Sequence, residues 1–280
     1  MSARRGRAAW RRRILGALRA AGVDAVRVAP GSVLLSRRGG DWQAVDKAFG
    51  HYLVHRHVAG ILAMYRVNCV IDVGANRGQY ARELRQAGYG GHIASFEPVP
   101  DDYARLAAAA RGDERWTVHP YALGREDGVI EMNAVPGTLS SLLEPTRFGA
   151  RRYERLREPR TVEVAVRRLD GLLDAVLAPV TAPRPYLKLD TQGFDLEVFA
   201  GLGERAAGFV GMQSELALMR IYEGMPRLPE ALATYEAAGF EVTGLYPVSR
   251  QSRTARVLEF DCVMVRPGAL RDDGGRGGGR

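Results

Sequence analysis

Short apolar runs, several rich in β-branched residues, alternate with longer amphipathic stretches along most of this chain. That rhythm predicts a layered α/β fold. Strands are expected at 70–73, 92–98, 116–121, 128–135, 161–166, 186–189 and 210–219, with a closing pair at 240–246 and 256–265. Helices are expected at 80–88, 101–110, 169–176 and 228–238, and at 195–200 with Gly201 as the stop. The closing pair has no helical crossover between its strands, so it reads as antiparallel. Together these elements predict a doubly wound, mostly parallel sheet, and the closing antiparallel pair suits a seven-stranded one. Ahead of it lie a helix at 8–21, a hairpin at 26–36 around Pro30-Gly31, and a helix at 44–64. The expected organisation is an N-terminal basic and helical extension (1–66), one α/β domain (67–267) and a disordered Gly/Arg tail (268–280). The charged stretch 147–160 lacks a strong apolar face and reads as exposed and mobile.

The most informative stretch is VIDVGANRGQY, Val70 to Tyr80. Strand, glycine turn and helix follow in order, which lets a nucleotide-like ligand approach bare backbone at a helix N-terminus. Glu97, with Pro98, ends the second strand about 20 residues on. A carboxylate there suits a ribose diol, because it accepts both hydroxyl protons. Glycines stand only at Gly74 and Gly78, so the three-glycine dinucleotide fingerprint is missing, as is the G-K-[ST] of a phosphate loop. Asp72 precedes the first glycine, where a carboxylate repels pyrophosphate and attracts an ammonium. S-adenosylmethionine carries an ammonium, a sulfonium and a ribose but no phosphate, and it is the cofactor these residues predict. Gly74, Asn76 and Gly78 complete the expected cofactor turn. Backbone groups at Tyr121 and Ala122, ending the third strand, are placed to read an adenine edge.

Further acids stand at later strand ends: Asp190 in YLKLDTQGFDLEVFAGL and Glu215 in VGMQSELALM. A hydroxyl is a poor nucleophile at neutral pH, so a base or a metal should assist it. Asp190 and Glu215 are the candidate bases, with His119 a third. The two acids are alternatively a divalent-metal pair, which leaves metal dependence open. Lys188 shares a strand face with Asp190 and, with Gln192, is a candidate acceptor contact. Ser140 and Ser141 are loop contacts in one reading and helix caps ahead of Leu142 in the other. His51 and His55 have the i, i+4 spacing of metal ligands, but no nearby carboxylate or cysteine completes a set. They therefore read as helix-surface or substrate-mouth residues.

Composition changes this picture little. The chain has 280 residues and a net charge of +8. Arg4, Arg5, Arg7, Arg11, Arg12, Arg13 and Arg19 fall in its first twenty positions, so much of the excess is local and argues weakly for a nucleic-acid-binding core. Trp10, Ile14, Leu15 and Leu18 would share a helix face beside those arginines. A membrane-surface helix is one reading and a solvated basic arm the other. Cys69 and Cys262 lie in apolar runs and read as buried thiols of a reducing cytosol. No run reaches membrane-spanning length, and no signal peptide is expected.

The blocks IDVGANRGQY, FEPVP, ALG, SSLL, LKLDTQGFDLEVFAGL and QSELALMRIYEG occur in that order between Val67 and Val265. The chain thereby resembles the FkbM family of S-adenosylmethionine-dependent methyltransferases. The resemblance implies a Rossmann-like class I fold. It also implies O-methylation of a hydroxyl, typically on a sugar of a glycolipid or polysaccharide, or on a polyketide-type natural product. By motif it carries Asp72, Gly74, Asn76, Gly78 and Glu97 over as cofactor residues and Asp190 as a catalyst. A cytoplasmic enzyme is expected, with peripheral membrane contact through the basic arm as an option. Rival classes fit less well. An adenine amino-methyltransferase would carry [DNS]-P-P-[YFW] where this chain has Asp190-Thr191-Gln192-Gly193, and a cytosine-5 enzyme would need a proline-cysteine turn. Neither motif is present, so no nucleic-acid partner is expected. A cofactor-binding scaffold without catalysis is the non-enzymatic alternative.

Overall fold

A computed structural model of the chain describes residues 13–29 and 32–270. The Pro30-Gly31 turn, the start of the predicted first helix and the tail beyond 270 lie outside the described residues. Two compact units are present, Met1–Gly50 and His51–Arg280. In the first, residues 13–20 are helical (α1), and Ile14 and Leu15 are exposed. The strands β1 (Val23–Ala29) and β2 (Ser32–Arg37) pair antiparallel, as the hairpin expected at 26–36 requires. The long helix α2 (Trp42–Met64) begins in this unit and continues into the second. Among the described residues no helix is long and apolar enough to cross a membrane.

The second unit is built on β3 (Cys69–Val73), β4 (His92–Phe96), β5 (Trp116–His119), β9 (Pro185–Leu189), β10 (Gly211–Ala217), β11 (Glu241–Arg250) and β12 (Val257–Val265). Their order across the sheet is β11-β12-β10-β9-β3-β4-β5. The last five of these are parallel, while β12 runs antiparallel to both its neighbours. This is the doubly wound seven-stranded α/β sheet that the sequence predicts. The chain reverses its winding direction between β9 and β4, on either side of β3, and such a switch opens a crevice at the strand ends.

The period-two geometry of the strands sorts the core into two layers. Cys69, Ile71, Val73, Leu187 and Leu189 face α6 (Leu169–Leu177), α7 (Asp195–Leu202) and α8 (Leu228–Ala237). Val70, Ile93 and Tyr186 face α2, α3 (Gln79–Gln86) and α4 (Pro100–Ala110). Cys69 and Cys262 are buried free thiols, and burial pushes both up to about 12. A second, three-stranded sheet flanks the main one: β6 (Ala122–Leu123), β8 (Arg160–Arg167) and β7 (Gly128–Ala134), in that order.

Two expectations are corrected. The stretch 147–160 is largely exposed, as expected, but it carries regular structure: α5 (Arg147–Arg152), capped by Thr146 Oγ1, which accepts from Gly149 N, and a 3-10 turn at Glu154–Leu156. Leu156 is buried with Tyr153, Ile221 and Tyr222 beside it, a small cluster too sparse in sequence to show as a periodic face. Gly201 does not stop α7; it lies inside the helix, and the chain turns at Gly203. Its reason is close packing, because a Cβ at Gly201 would lie 2.0 Å from the Gly124 carbonyl oxygen. Gly201→Ala should therefore destabilise the fold by about 1–3 kcal/mol in guanidinium denaturation, although alanine is the better helix former. An unchanged or raised stability would show that α7 does not press on the 124 backbone.

Candidate functional site

The ends of β3, β4 and β9 frame a cleft of about 640 Å3 when the solvent in its open mouth is counted. The cleft lies wholly within the second unit. On one side stand Gly74 and Asn76 after β3, then Glu97 and Pro98 after β4, with Tyr121 and Ala122 beyond β5. Asp190, Thr191, Gln192 and Phe194 close the other side after β9. The loop from Thr138 to Leu142 and Met132 of β7 complete it. Glu97 and Asp190 are its two lining carboxylates, one on each side of β3.

The turn after β3 is held by backbone bonds. Gly74 N and Ala75 N both donate to Phe96 O at 3.0 Å, and Asp190 N donates to Val73 O at 3.1 Å. Gly74 takes φ +74°, and a Cβ there would lie 2.0 Å from Asp190 O, so only glycine lets the two strand ends approach. Asn76 N donates to Glu97 Oε2 and Val99 N to Glu97 Oε1, each at 2.8 Å. Glu97 is thus fixed by two backbone donors, and each carboxylate oxygen keeps a lone pair for a ligand. Burial nevertheless outweighs these bonds and raises its pKa to about 7. The Asn76 side chain is committed elsewhere: Nδ2 donates to Gly137 O at 2.8 Å and Oδ1 accepts from Gln79. Its contribution to the cleft is to tie the 137 loop to the turn.

Asp72 stands where the sequence places it, but not in the cleft. It is fully buried beneath the turn. Its Oδ1 pairs with Lys188 Nζ at 3.1 Å, and its Oδ2 accepts from Ser95 Oγ, which in turn accepts from Trp116 Nε1. The electrostatic expectation that Asp72 meets the ligand directly is thereby revised: its charge already has a partner. Lys188, read from sequence as an acceptor contact, is buried too. Its Nζ donates to Gly74 O at 3.1 Å and lies 3.6 Å from Asp190 Oδ2. Burial lowers the Lys188 pKa, but Asp72 and Asp190 outweigh it and hold the ammonium charged. Gly78, at φ +77°, packs against Trp116 rather than lining the cleft.

On the other side of β3, Gln192 links two of the candidate acids. Its Nε2 donates to Asp190 Oδ1 and to Glu215 Oε2, each at 3.0 Å. Gln192 adopts φ +52°, a strained region for a non-glycine residue that the surrounding bonds must enforce. Those bonds come from Ser141 Oγ, which donates to Gln192 O at 2.8 Å, and from Asp195, which accepts from Thr191 N and from Ser214 Oγ. Ser141 is fully buried, and no helix follows at Leu142, so the capping reading is also corrected. Ser140 lines the cleft, and its hydroxyl bridges Val135 N and O.

Glu215 lies behind Gln192 rather than in the cleft. Burial first, then the carboxylates of Glu259, Asp190 and Asp261, raise its pKa well above the ordinary carboxylate range. That shift makes Glu215 slower to ionise than an ordinary carboxylate. His119 is stacked on Phe96 at 4.7 Å, away from the cleft lining, and burial lowers its pKa. Asp190, with 43% of its side chain exposed, is the candidate base that the cleft itself presents. Sequence reading missed Thr138, Met132, Leu142 and Phe194 as lining residues and Asp195 as the anchor of the 190–195 turn. Of these only Asp195 carried a signal, an acid just after the DTQG run.

Comparison with known proteins follows the same lines. The chain is similar in structure to magnesium protoporphyrin IX methyltransferase (ChlM) from Synechocystis PCC 6803 with bound SAM: 12% identity, covering 81% of this chain and 85% of that one, TM-score 0.44. It is similar to Aeropyrum pernix fibrillarin in complex with S-adenosyl-L-methionine: 12% identity, 87% and 94% covered, TM-score 0.41. It is similar as well to the O-methyltransferase NcsB1 from neocarzinostatin biosynthesis: 12% identity, 80% and 57% covered, TM-score 0.41. No curated protein matches the sequence. The family profile described as the methyltransferase FkbM domain matches residues 72–241, from the acid beneath the turn to the start of β11. The chain belongs to the FkbM methyltransferase family, whose methyl donor is S-adenosylmethionine.

Proposed function

We propose that the protein is an O-methyltransferase acting on a hydroxyl of a sugar, in a glycolipid, polysaccharide or glycosylated natural product. The observation that carries this reading is the pair of carboxylates lining one cleft on opposite sides of β3: Glu97 for the ribose, Asp190 for the acceptor. S-adenosylmethionine supplies an electrophilic methyl group, so alignment of the attacking oxygen accounts for much of the rate. Glu97 would accept the ribose hydroxyls, and the Tyr121–Ala122 backbone and Pro98 would border the base. Asp190 would take the proton of the acceptor hydroxyl, while bound S-adenosylmethionine would supply the methyl group and leave as the neutral thioether. Gln192 fixes the Asp190 carboxylate, and its Oε1, buried and without a hydrogen-bond partner among the described residues, is available to a donor group of a bound ligand. The buried ammonium of Lys188, 3.6 Å from Asp190 Oδ2, is shared with Asp72, so the base side of the cleft keeps a net negative charge.

Two measurements test this. Radiolabelled methyl transfer to extracted glycolipids or rhamnosyl and fucosyl acceptors should fall by about 10²–10⁴ in kcat for Asp190→Asn, with cofactor affinity kept. Glu215→Gln, at a residue that does not line the cleft, should lose far less. Equal losses, or full transfer by Asp190→Asn, would remove Asp190 as the base. Transfer to RNA but to no sugar would overturn the acceptor class.

The second concerns pH. Ribose binding favours ionised Glu97, so S-adenosylmethionine affinity measured by calorimetry should rise about tenfold from pH 6 to pH 8. Glu97→Gln should bind more weakly and without that slope. For the unliganded fold the sign is opposite: a carboxyl raised from 4.5 to about 7 contributes stability at low pH that is lost as pH climbs through 7. A pH-independent affinity in the parent protein would show that Glu97 does not meet the ribose.

A further inference from the structure

Away from the cleft, α2 and α3 bring together three side chains that the methyl-transfer reading does not use. His51 and His55 lie one turn apart on α2, and Glu83 reaches them from the middle of α3. The sequence offered no third ligand near the two histidines; the fold supplies one. His51 Nε2 and His55 Nε2 are 3.0 Å apart. His55 Nε2 lies 3.0 Å from Glu83 Oε2, and His51 Nε2 lies 3.5 Å from Glu83 Oε1.

A proton on His55 Nε2, shared between Glu83 Oε2 and His51 Nε2, serves the two 3.0 Å contacts and leaves the 3.5 Å His51–Glu83 contact open. A cation among the three groups instead accepts a lone pair from each of them at once. The size agrees: zinc bonds of about 2.0–2.1 Å at tetrahedral angles set ligand atoms about 3.3 Å apart. The observed contacts run from 3.0 to 3.5 Å, with His55 nearest Glu83 Oε2 and His51 nearest Glu83 Oε1, and one ligand atom from each residue lies within 4.8 Å of the other two.

We propose that His51, His55 and Glu83 form a binding site for a divalent first-row transition ion, with Zn2+ as the reference ion. Two imidazoles and one carboxylate favour such borderline ions over Mg2+ or Ca2+, which take oxygen ligands. Three protein ligands leave a coordination position open, and the exposed edge at His51, 58% of its side chain, lets water fill it. None of the three residues lines the cofactor cleft, so the site is separate from the one already described. Its ion would pin α2 to α3, the helix that starts at the Gly74–Gly78 turn. Val54 and Val58 of α2 and Ala81 and Leu84 of α3 belong to one buried apolar cluster, and the ion would add a tie between the two helices at its solvent edge. The site also borders the buried polar layer behind the cleft. The His55 ring lies 6.1 Å from that of Tyr80, whose hydroxyl donates to Gln213, and Gln213 in turn holds Asp261.

The test uses the untagged full chain, stripped of metal with chelator, and titrated with Zn2+ by calorimetry and with Co2+ by absorption spectroscopy. One ion per chain is expected, with the cobalt ligand-field bands of a four- or five-coordinate nitrogen–oxygen site. Zn2+ should raise the melting temperature of the parent protein. His51→Ala, His55→Ala and Glu83→Gln should each weaken binding by at least about tenfold and abolish the thermal shift. His51 is largely exposed, so its variant folds and carries the test even if the other two do not. Absence of stoichiometric binding, a thiolate-to-cobalt charge-transfer band from Cys69 or Cys262, or binding and thermal shift unaltered in His51→Ala would each overturn the assignment. Cofactor calorimetry is independent of all these outcomes.

Discussion

A buried ion pair between neighbouring strands underlies the organisation of the site. Asp72 and Lys188 are directly paired in the β3–β9 register, and both point to the α3 face of the sheet. Neither is accessible to solvent to any useful degree. A lone charge at either position would face a large desolvation penalty, so each requires the other. The pair sits directly under the glycine turn, with Lys188 Nζ reaching Gly74 O and the Ser95–Trp116 relay steadying the second Asp72 oxygen. Tyr80, at the start of α3, covers the ammonium with its ring at 5.4 Å. Strand register, turn and helix start are thereby locked to one electrostatic contact.

That contact also determines how charge is shared across the cleft. With Asp72 neutralised from below, the negative groups left facing a ligand are Glu97 and Asp190. Glu97 is held by backbone donors, yet burial raises its pKa to about 7. Asp190 shares Lys188 with Asp72 and shares Gln192 with Glu215. The strained Gln192 backbone then makes sense as positioning. Ser141, Thr191 and Asp195 hold an unfavourable φ so that one amide spans two acids. The cost of that strain falls on interactions remote from the cleft, including the buried Ser214–Tyr235 hydroxyl contact behind Asp195.

Much of the fold was legible because its signals are local. Val70–Val73, Tyr186–Leu189 and the closing antiparallel pair are apolar runs of strand length, and Gly88 and Gly239 mark helix ends by their backbone preference. Gly201 misled because a packing glycine and a stop glycine look alike in sequence; only the Gly124 carbonyl beside it separates them. The site was legible in part. Residues of the glycine turn and Glu97 announce themselves by spacing. The Lys188 partnership with Asp72, the Ser141 bond to Gln192 and the approach of Glu83 to His51 and His55 join residues far apart in the chain. No periodicity records such pairings. The role of Asp72 was misread for the same reason: the charge of a turn depends on what the neighbouring strand places beneath it.

The most direct test of this account is a double-mutant cycle on the buried pair, read by guanidinium denaturation at pH 7. Lys188→Met and Asp72→Asn should each cost stability, with Lys188→Met losing about 3–5 kcal/mol because it strands a buried carboxylate. Combining the two should recover much of that loss, leaving the double variant more stable than Lys188→Met alone. Strictly additive losses would contradict the account, since they would mean that Asp72 and Lys188 hold the turn independently of one another.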